Sequence, residues 1–411
     1  MAFFETLLLL VIVIVFGKRM RVNVLNPAFL YAIVMLSTLA IGTLHLSGLQ
    51  SEYPQWFVLV VYISVLLFAV GGRLSDKISL IDSKKKVLRH SEYVPESMRF
   101  CAISLWAIVV FSFLVMVKLL GPPPAISYVS RADYFVSGWG TLYLMQSSVF
   151  CLVLYDYYKN HVLGKFSYVI IGSIVLMAIL MSNKYQLVYL LILYLVNKNC
   201  FQKKIKIKSL LLVAVFGVLM FSILYKYVYS YMYGVTLEQL YFSYQMNVPE
   251  SLLFITQPYL YVAFNVENLY HFLSNVDGYT FGYVTFKEVF ETLSIDQIFP
   301  NGIIENANLW KEMLQVPSLT TGTILSDFAQ DGGIIGIFVF SFLAGAWSVY
   351  CYKVYTNKKN FGCFFLYASS LCSTFLSFFT NTYTMKSTII NIVAALIMSR
   401  IIQTKFVWRS H

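Results

Sequence analysis

Apolar runs long enough to cross a bilayer recur from one end of this chain to the other. A crossing helix needs about 20 apolar residues, with a range of roughly 17–25. Inside hydrocarbon every backbone N–H and C=O has to be satisfied within the chain, so such a run reads as a helix. Runs at 1–16, 28–50, 56–72, 100–120 and 139–158 supply the first five. The stretch 166–196 is short for two full crossings and long for one, and Ser182-Asn-Lys184 sits near its middle. A lysine at the bilayer centre costs about 2.5–3.5 kcal/mol. The expectation is therefore a helical hairpin turning at 182–184. Runs at 209–229, 330–350, 361–379 and 387–402 bring the number to about eleven, within a range of 10–12. The expected fold is an all-α polytopic membrane protein.

One stretch breaks the rhythm. Residues 230–322 hold nine of the 19 acidic residues and no cysteine. They read as one large extracytoplasmic loop between residues 1–229, with eight transmembrane helices, and residues 323–411, with three. Within the loop, Leu252–Val266 is apolar but only 15 residues long and contains Gln257 and Pro258. It is expected to lie in the outer interface rather than to cross.

Charge decides the orientation. The net charge is +11, and only 12% of residues are charged, against about 25% in a soluble domain. With the N-terminus outside and the C-terminus cytoplasmic, 23 of the 30 Lys and Arg fall on the cytoplasmic side, as the positive-inside rule requires. The basicity thus needs no nucleic acid, and it suits an anionic lipid bilayer as a partner. Lys18, Arg19 and Arg21 follow the first apolar run rather than precede it, so the run reads as a retained helix, not a cleaved signal. The six cysteines show no metal-type spacing, and neither a metal nor a cofactor is expected.

Chemistry is then expected on the outer face. Glu267 and His271 are spaced i, i+4. On a helix they share a face, and a carboxylate orienting an imidazole is a general-base pair for a sugar hydroxyl; an exposed helix face gives the same spacing. Asp327 and Asp331 repeat that spacing at the start of the ninth run, where acids also suit a helix N-terminus. Gly332, Gly333 and Gly336 beside them read as residues that allow close helix packing. Arg131, just past Pro122-Pro-Pro124, suits bidentate phosphate binding or lipid contact. Lys184 at the hairpin tip suits the same anion or a snorkelling role, and Lys287 is a further outer cation. Tyr259 and Trp310 are among the loop aromatics able to stack on sugar rings. No nucleotide-binding or metalloprotease motif occurs.

Several stretches in order resemble the bacterial oligosaccharide repeat-unit polymerases, the Wzy-type O-antigen and capsule polymerases. They are Arg131-Ala-Asp-Tyr134, Met181-Ser-Asn-Lys184, Pro258-Tyr-Leu-Tyr-Val-Ala-Phe-Asn-Val-Glu-Asn-Leu269, Tyr279-Thr-Phe-Gly-Tyr-Val-Thr-Phe286 and Leu325-Ser-Asp-Phe-Ala-Gln-Asp-Gly-Gly-Ile-Ile-Gly336. The hairpin tip often carries arginine in such families and has Lys184 here. The resemblance implies a GT-C-like architecture in a bacterial cytoplasmic membrane. It also implies a glycosyltransferase that uses undecaprenyl-pyrophosphate-linked oligosaccharides, without metal, and releases undecaprenyl pyrophosphate. A chain-length regulator and a flippase of the same pathway are the further partners it implies. An O-antigen ligase-like transferase or a repeat-unit flippase would share much of this architecture.

Overall fold

The computed structural model describes residues 2–83, 94–127, 133–205, 215, 217, 222–223, 234–276, 278–316 and 318–404. Among them every element is helical, and strand-like pairing is confined to an isolated bridge between Ser47 and Met246. In chain order the helices are α1 (Ala2–Arg19), α2 (Pro27–Gly42), α3 (Gln55–Ser83), α4 (Pro95–Leu120), α5 (Trp139–Leu144), α6 (Gln146–Lys159), α7 (Phe166–Leu180) and α8 (Lys184–Phe201). There follow α9 (Leu237–Ser243), a 3₁₀ turn (Glu250–Ile255), α10 (Thr256–Asn275), α11 (Tyr283–Thr292), a second 3₁₀ turn (Asp296–Ile298) and α12 (Asn301–Glu312). The chain closes with α13 (Ile324–Lys358), α14 (Phe361–Leu376) and α15 (Lys386–Ile401). Three of these are long and apolar enough to cross a membrane: α3 over Gln55–Lys77, α4 and α13. Helices α2, α7 and α14 are apolar but shorter.

Local chemistry sets the helix ends. Asn26 caps α2 by accepting from the Phe29 amide at 3.2 Å, with Pro27 as the first helical residue. The expected hairpin is present: α7 stops at Leu180, Ser182 takes a positive φ of 49°, and Asn183 caps α8 by accepting from the Gln186 amide at 3.0 Å. Helix α4 ends at Gly121, whose φ of 86° a side chain would resist, just before the three prolines.

Three sequence expectations change. The run 28–50 is helical only to Gly42, and the residues after it turn back. The run 139–158 breaks at Met145 into α5 and α6. Gly332 and Gly333 do not lie inside a straight helix, because both leave helical geometry and split α13, Gly333 with a φ of 59°, although a Cβ on Gly333 would still lie 2.8 Å from the Tyr279 hydroxyl oxygen. The run 209–229 lies outside the described residues except for four positions.

The chain forms two compact units. The first comprises Met1–Lys77, Lys206–Val349 and Ser373–Thr384; the second comprises Ile78–Ile205, Tyr350–Cys372 and Met385–His411. This spatial grouping cuts across the chain-order segments. The core of the first unit joins α2, α3, α10 and α13 through Tyr31, Met35, Phe57, Phe68, Leu269, Phe272 and Phe328. Tyr31 and Phe68 stack with ring centroids 4.0 Å apart. The second unit buries Cys151, Leu152, Val153, Ile174, Leu193 and Phe365.

Between helices in lipid, close van der Waals packing replaces much of the hydrophobic drive. Helices α3 and α13 meet in that way. A Cβ on Gly71 would lie 2.0 Å from the Phe342 carbonyl oxygen, and one on Gly345 would lie 2.0 Å from the Phe68 carbonyl oxygen. Backbone, not a mobile side chain, fills the space. Gly71→Ala and Gly345→Ala are each expected to destabilise by about 1–3 kcal/mol. A lowered thermal midpoint of the detergent-purified protein checks this; an unchanged midpoint refutes the close crossing.

Candidate active site

The buried face of α10 organises the first unit's polar chemistry. Asn265 and Asn268 hold one side of it. The Asn265 amide donates to the Phe378 carbonyl at 2.9 Å and accepts from the Thr321 hydroxyl at 2.7 Å. Asn268 donates to the carbonyls of Leu319 and Thr321 at 2.7 and 2.8 Å. The other side of α10 receives the connection between α2 and α3. Its Gly48 amide donates to the Gln245 carbonyl at 2.8 Å, and the Leu46 carbonyl accepts from the Asn247 amide at 2.7 Å. Leu46 also donates its amide to the Tyr259 hydroxyl at 2.9 Å, and that hydroxyl in turn donates to Gln50.

This bracing carries Ser51 and Tyr53 to Glu267. The Ser51 amide donates to Glu267 Oε1 at 3.0 Å, and the Tyr53 hydroxyl donates to Oε2 at 2.8 Å. His271 Nε2 lies 3.0 Å from Oε1 and 3.2 Å from Ser51 Oγ. The Glu267 side chain is fully buried, whereas that of His271 is 23% exposed. A buried carboxylate is tolerable only when donors surround it, and here a backbone amide, a phenol and an imidazole do so. A carboxylate accepts, so Nε2 carries the proton and Nδ1 is left as the basic nitrogen. Burial, together with the Glu267 carboxylate, pushes the Tyr53 phenol well above its ordinary range, which keeps it a donor.

The arrangement sorts the roles. His271 is open enough to meet a hydroxyl, and Glu267 is not. Glu267 holds the ring through Nε2, an arrangement in which a carboxylate can support an imidazole acting as a base. Glu267 and His271 thus meet at their i, i+4 spacing. Tyr259, expected as a sugar-stacking surface, is 6% exposed, and its hydroxyl braces the α2–α3 connection. Burial is the main cause that lifts its phenol to about 12.

Asp327 is half-buried in α13 and interacts with Asn381. Asp331 does not serve the start of its own helix. Its carboxylate accepts from the Thr280 hydroxyl and from the amides of Val284 and Thr285, at 3.0 and 2.9 Å for the amides, and so caps α11. Lys287 pairs at 3.9 Å with Glu291 on the exposed face of α11, an arrangement worth little. Trp310 is half-buried, packs on Phe272 with centroids 5.5 Å apart, and donates to the Thr320 carbonyl at 3.3 Å. Lys184 is the first residue of α8 and belongs to the second unit. Arg131 lies outside the described residues. A groove of about 440 Å³ lined by Pro95, Glu96, Arg99 and Phe100 also belongs to the second unit.

Ser51, Tyr53 and Gln50 were not among the expected site residues. They sit more than 200 positions before Glu267, where spacing along the chain carries no signal. The polar cluster Gln50-Ser-Glu-Tyr53 inside an otherwise apolar stretch was the available sign. No protein-family model, curated protein or solved structure matches the chain.

Removing one partner of a buried group costs about 1–3 kcal/mol when the other is stranded. Tyr53→Phe leaves Glu267 two donors and is expected to be mild. Glu267→Leu strands the Tyr53 hydroxyl and the Ser51 amide together and is expected to lower the thermal midpoint clearly more. Equal midpoints for the two variants would contradict the network.

Proposed function

We propose that this chain polymerises lipid-pyrophosphate-linked oligosaccharide repeat units into a surface polysaccharide, with His271 as the general base. The observation that carries the reading is the buried Glu267 carboxylate holding a partly exposed imidazole beside Ser51 and Tyr53. The other supports are the helical, apolar character of the chain and the local resemblance of its sequence to the Wzy-type polymerases.

In this reaction the acceptor is a hydroxyl on the sugar of an incoming lipid-linked unit. Its oxygen bonds to the anomeric carbon of the donor chain while the bond from that carbon to the phosphate oxygen breaks. His271 Nδ1 takes the hydroxyl proton, and the lipid diphosphate leaves with the bonding electrons. Glu267 stabilises the resulting imidazolium without touching the sugar. The charge of the leaving diphosphate calls for neutralisation by cations on the outer face of the membrane. The proposed site is the outer face of a bacterial cytoplasmic membrane, because the donor is delivered there already activated.

A positioned general base contributes typically 10²–10⁴-fold. His271→Ala is therefore expected to lower polymer formation about 100-fold or more in a strain lacking the chromosomal gene, at unchanged protein level. Glu267→Gln is expected to fall between this variant and the parent. Full-length polymer from His271→Ala at matched protein level removes His271 from the reaction. In the same strain, single-repeat products point to a polymerase, and intact but unattached polymer points to a ligase.

Repeat-unit transport is a second reading, favoured by the break of α13 at Gly332 and Gly333, since discontinuous helices line transport sites. Lipid-linked units that fail to reach the outer face after gene deletion would select it. Orientation has its own check. Ser294 is exposed, and the described cysteines are buried except for half-buried Cys200. Ser294→Cys is expected to react with an impermeant thiol reagent in intact cells from which any outer barrier has been removed. Labelling only after the cytoplasmic membrane is opened would invert the assignment.

A further inference from the structure

The segment that follows α10 keeps large apolar side chains in the open. Phe281 and Ile298 are each 79% exposed and Leu293 is 62% exposed, with Phe286 exposed as well. Apolar residues scattered singly over a surface need no explanation. These four fall within one short stretch, and the packing beneath them is firm. Tyr283 is buried, and its ring meets that of Phe299 with centroids 5.0 Å apart. The ring of Phe290 lies 4.8 Å from that of Phe299. This aromatic layer ties α11 to the second 3₁₀ turn and leaves the four side chains uncovered.

Helix α11 is amphipathic. Phe286, Val289, Phe290 and Leu293 recur at i, i+3, i+4 and i+7, the spacing of one helix face. Lys287, Glu288, Glu291 and Thr292 fall on the remaining surface.

The segment is fixed to a helix long enough to cross a membrane. The Thr280 and Phe281 amides donate to the Gln330 and Asp331 carbonyls, each at 3.0 Å. The Tyr279 hydroxyl lies against Gly333, and Phe286 meets Phe340 edge-on with centroids 6.2 Å apart. These contacts fall at or just past the break in α13. Beyond the break α13 shows an exposed apolar stripe of Ile335, Val339, Leu343 and Trp347, one every four residues. On a membrane-length helix such a stripe faces lipid tails. The helical stretch from Ile334 to Tyr352 rises about 28 Å, close to the hydrocarbon thickness of roughly 30 Å, and Lys353 stands at its far end. The hydrocarbon layer therefore begins where α13 breaks, and α11 is clipped on at that level.

We propose that residues 279–299 form a membrane-seating element, in which α11 lies in the boundary between headgroups and acyl chains and Phe281, Phe286, Leu293 and Ile298 enter the acyl side. Helices of this kind sink about 5–10 Å into that boundary. Tyr279 suits the same place, because tyrosine favours membrane–water interfaces. Charge specifies the drive. Between 279 and 299 Lys287 is the one cation, against Glu288, Glu291 and Asp296. Attraction to anionic headgroups is thus not what seats the element; apolar burial is, and a zwitterionic bilayer suffices. The inference rests on the membrane-length character of α13 and stands apart from the glycosyl-transfer reading.

The test uses the full-length protein in palmitoyl-oleoyl-phosphatidylcholine vesicles, with a nitroxide attached to one introduced cysteine. Phe281→Cys, Leu293→Cys and Ile298→Cys report the apolar side, and Lys287→Cys and Glu291→Cys the polar side. The parent chain, whose described cysteines are buried except for half-buried Cys200, supplies the background. Substituting exposed side chains is expected to leave the thermal midpoint unchanged. Oxygen concentrates among acyl chains, whereas a nickel chelate stays in water. The ratio of collisions with oxygen to collisions with the chelate is expected to be several-fold higher at the three apolar positions than at the two polar ones. Adding phosphatidylglycerol is expected to leave that contrast as it is. Equal ratios on the two sides overturn the proposal. Shielding of the apolar positions from both reagents also overturns it, because a protein partner or a second copy of the chain would then cover the patch. A contrast that arises only with phosphatidylglycerol present refutes seating by apolar burial.

Discussion

A carboxylate buried without a cation has to be surrounded by donors, and that requirement shapes the first unit around Glu267. The donors come from two directions. His271 is supplied by the same helix one turn later, at no cost in chain topology. Ser51 and Tyr53 arrive from a connection far earlier in the chain, which must therefore be held in place by something else. Tyr259, Gln50 and the pairing of residues 46–48 with 245–247 hold it. The bracing exists so that two hydrogen bonds can be made at its end. The same logic explains why α10 is studded with buried Asn265, Glu267 and Asn268 although it lies amid apolar helices. Each of these side chains fastens a different segment to one rod.

Local and non-local features of this chain differ in how far the sequence reveals them. The hairpin at 182–184 was legible because a lysine in mid-run conflicts with the bilayer, and Asn183 then serves as an ordinary cap. The Glu267–His271 pair was legible because helical spacing alone brings the two together. Ser51 and Tyr53 were not, since only tertiary folding gives them their partner. The break at Met145 was hidden as well: no glycine or proline marks it, and it is tied down by Asn391, some 240 residues onward. At Gly332 and Gly333 the sequence reading was close packing, and the break they make shows only in the backbone, in the positive φ of Gly333.

The carboxylate of Asp331 has a mechanical consequence. It is the last residue before α13 breaks, yet it grips the start of α11 through two amides and a hydroxyl. Helix α11 is therefore fastened at the point where α13 breaks. The Thr280 and Phe281 amides add to that grip by donating to the Gln330 and Asp331 carbonyls, each at 3.0 Å. A load on residues 283–292 is thus passed to the break in a membrane-length helix through one carboxylate and two backbone bonds.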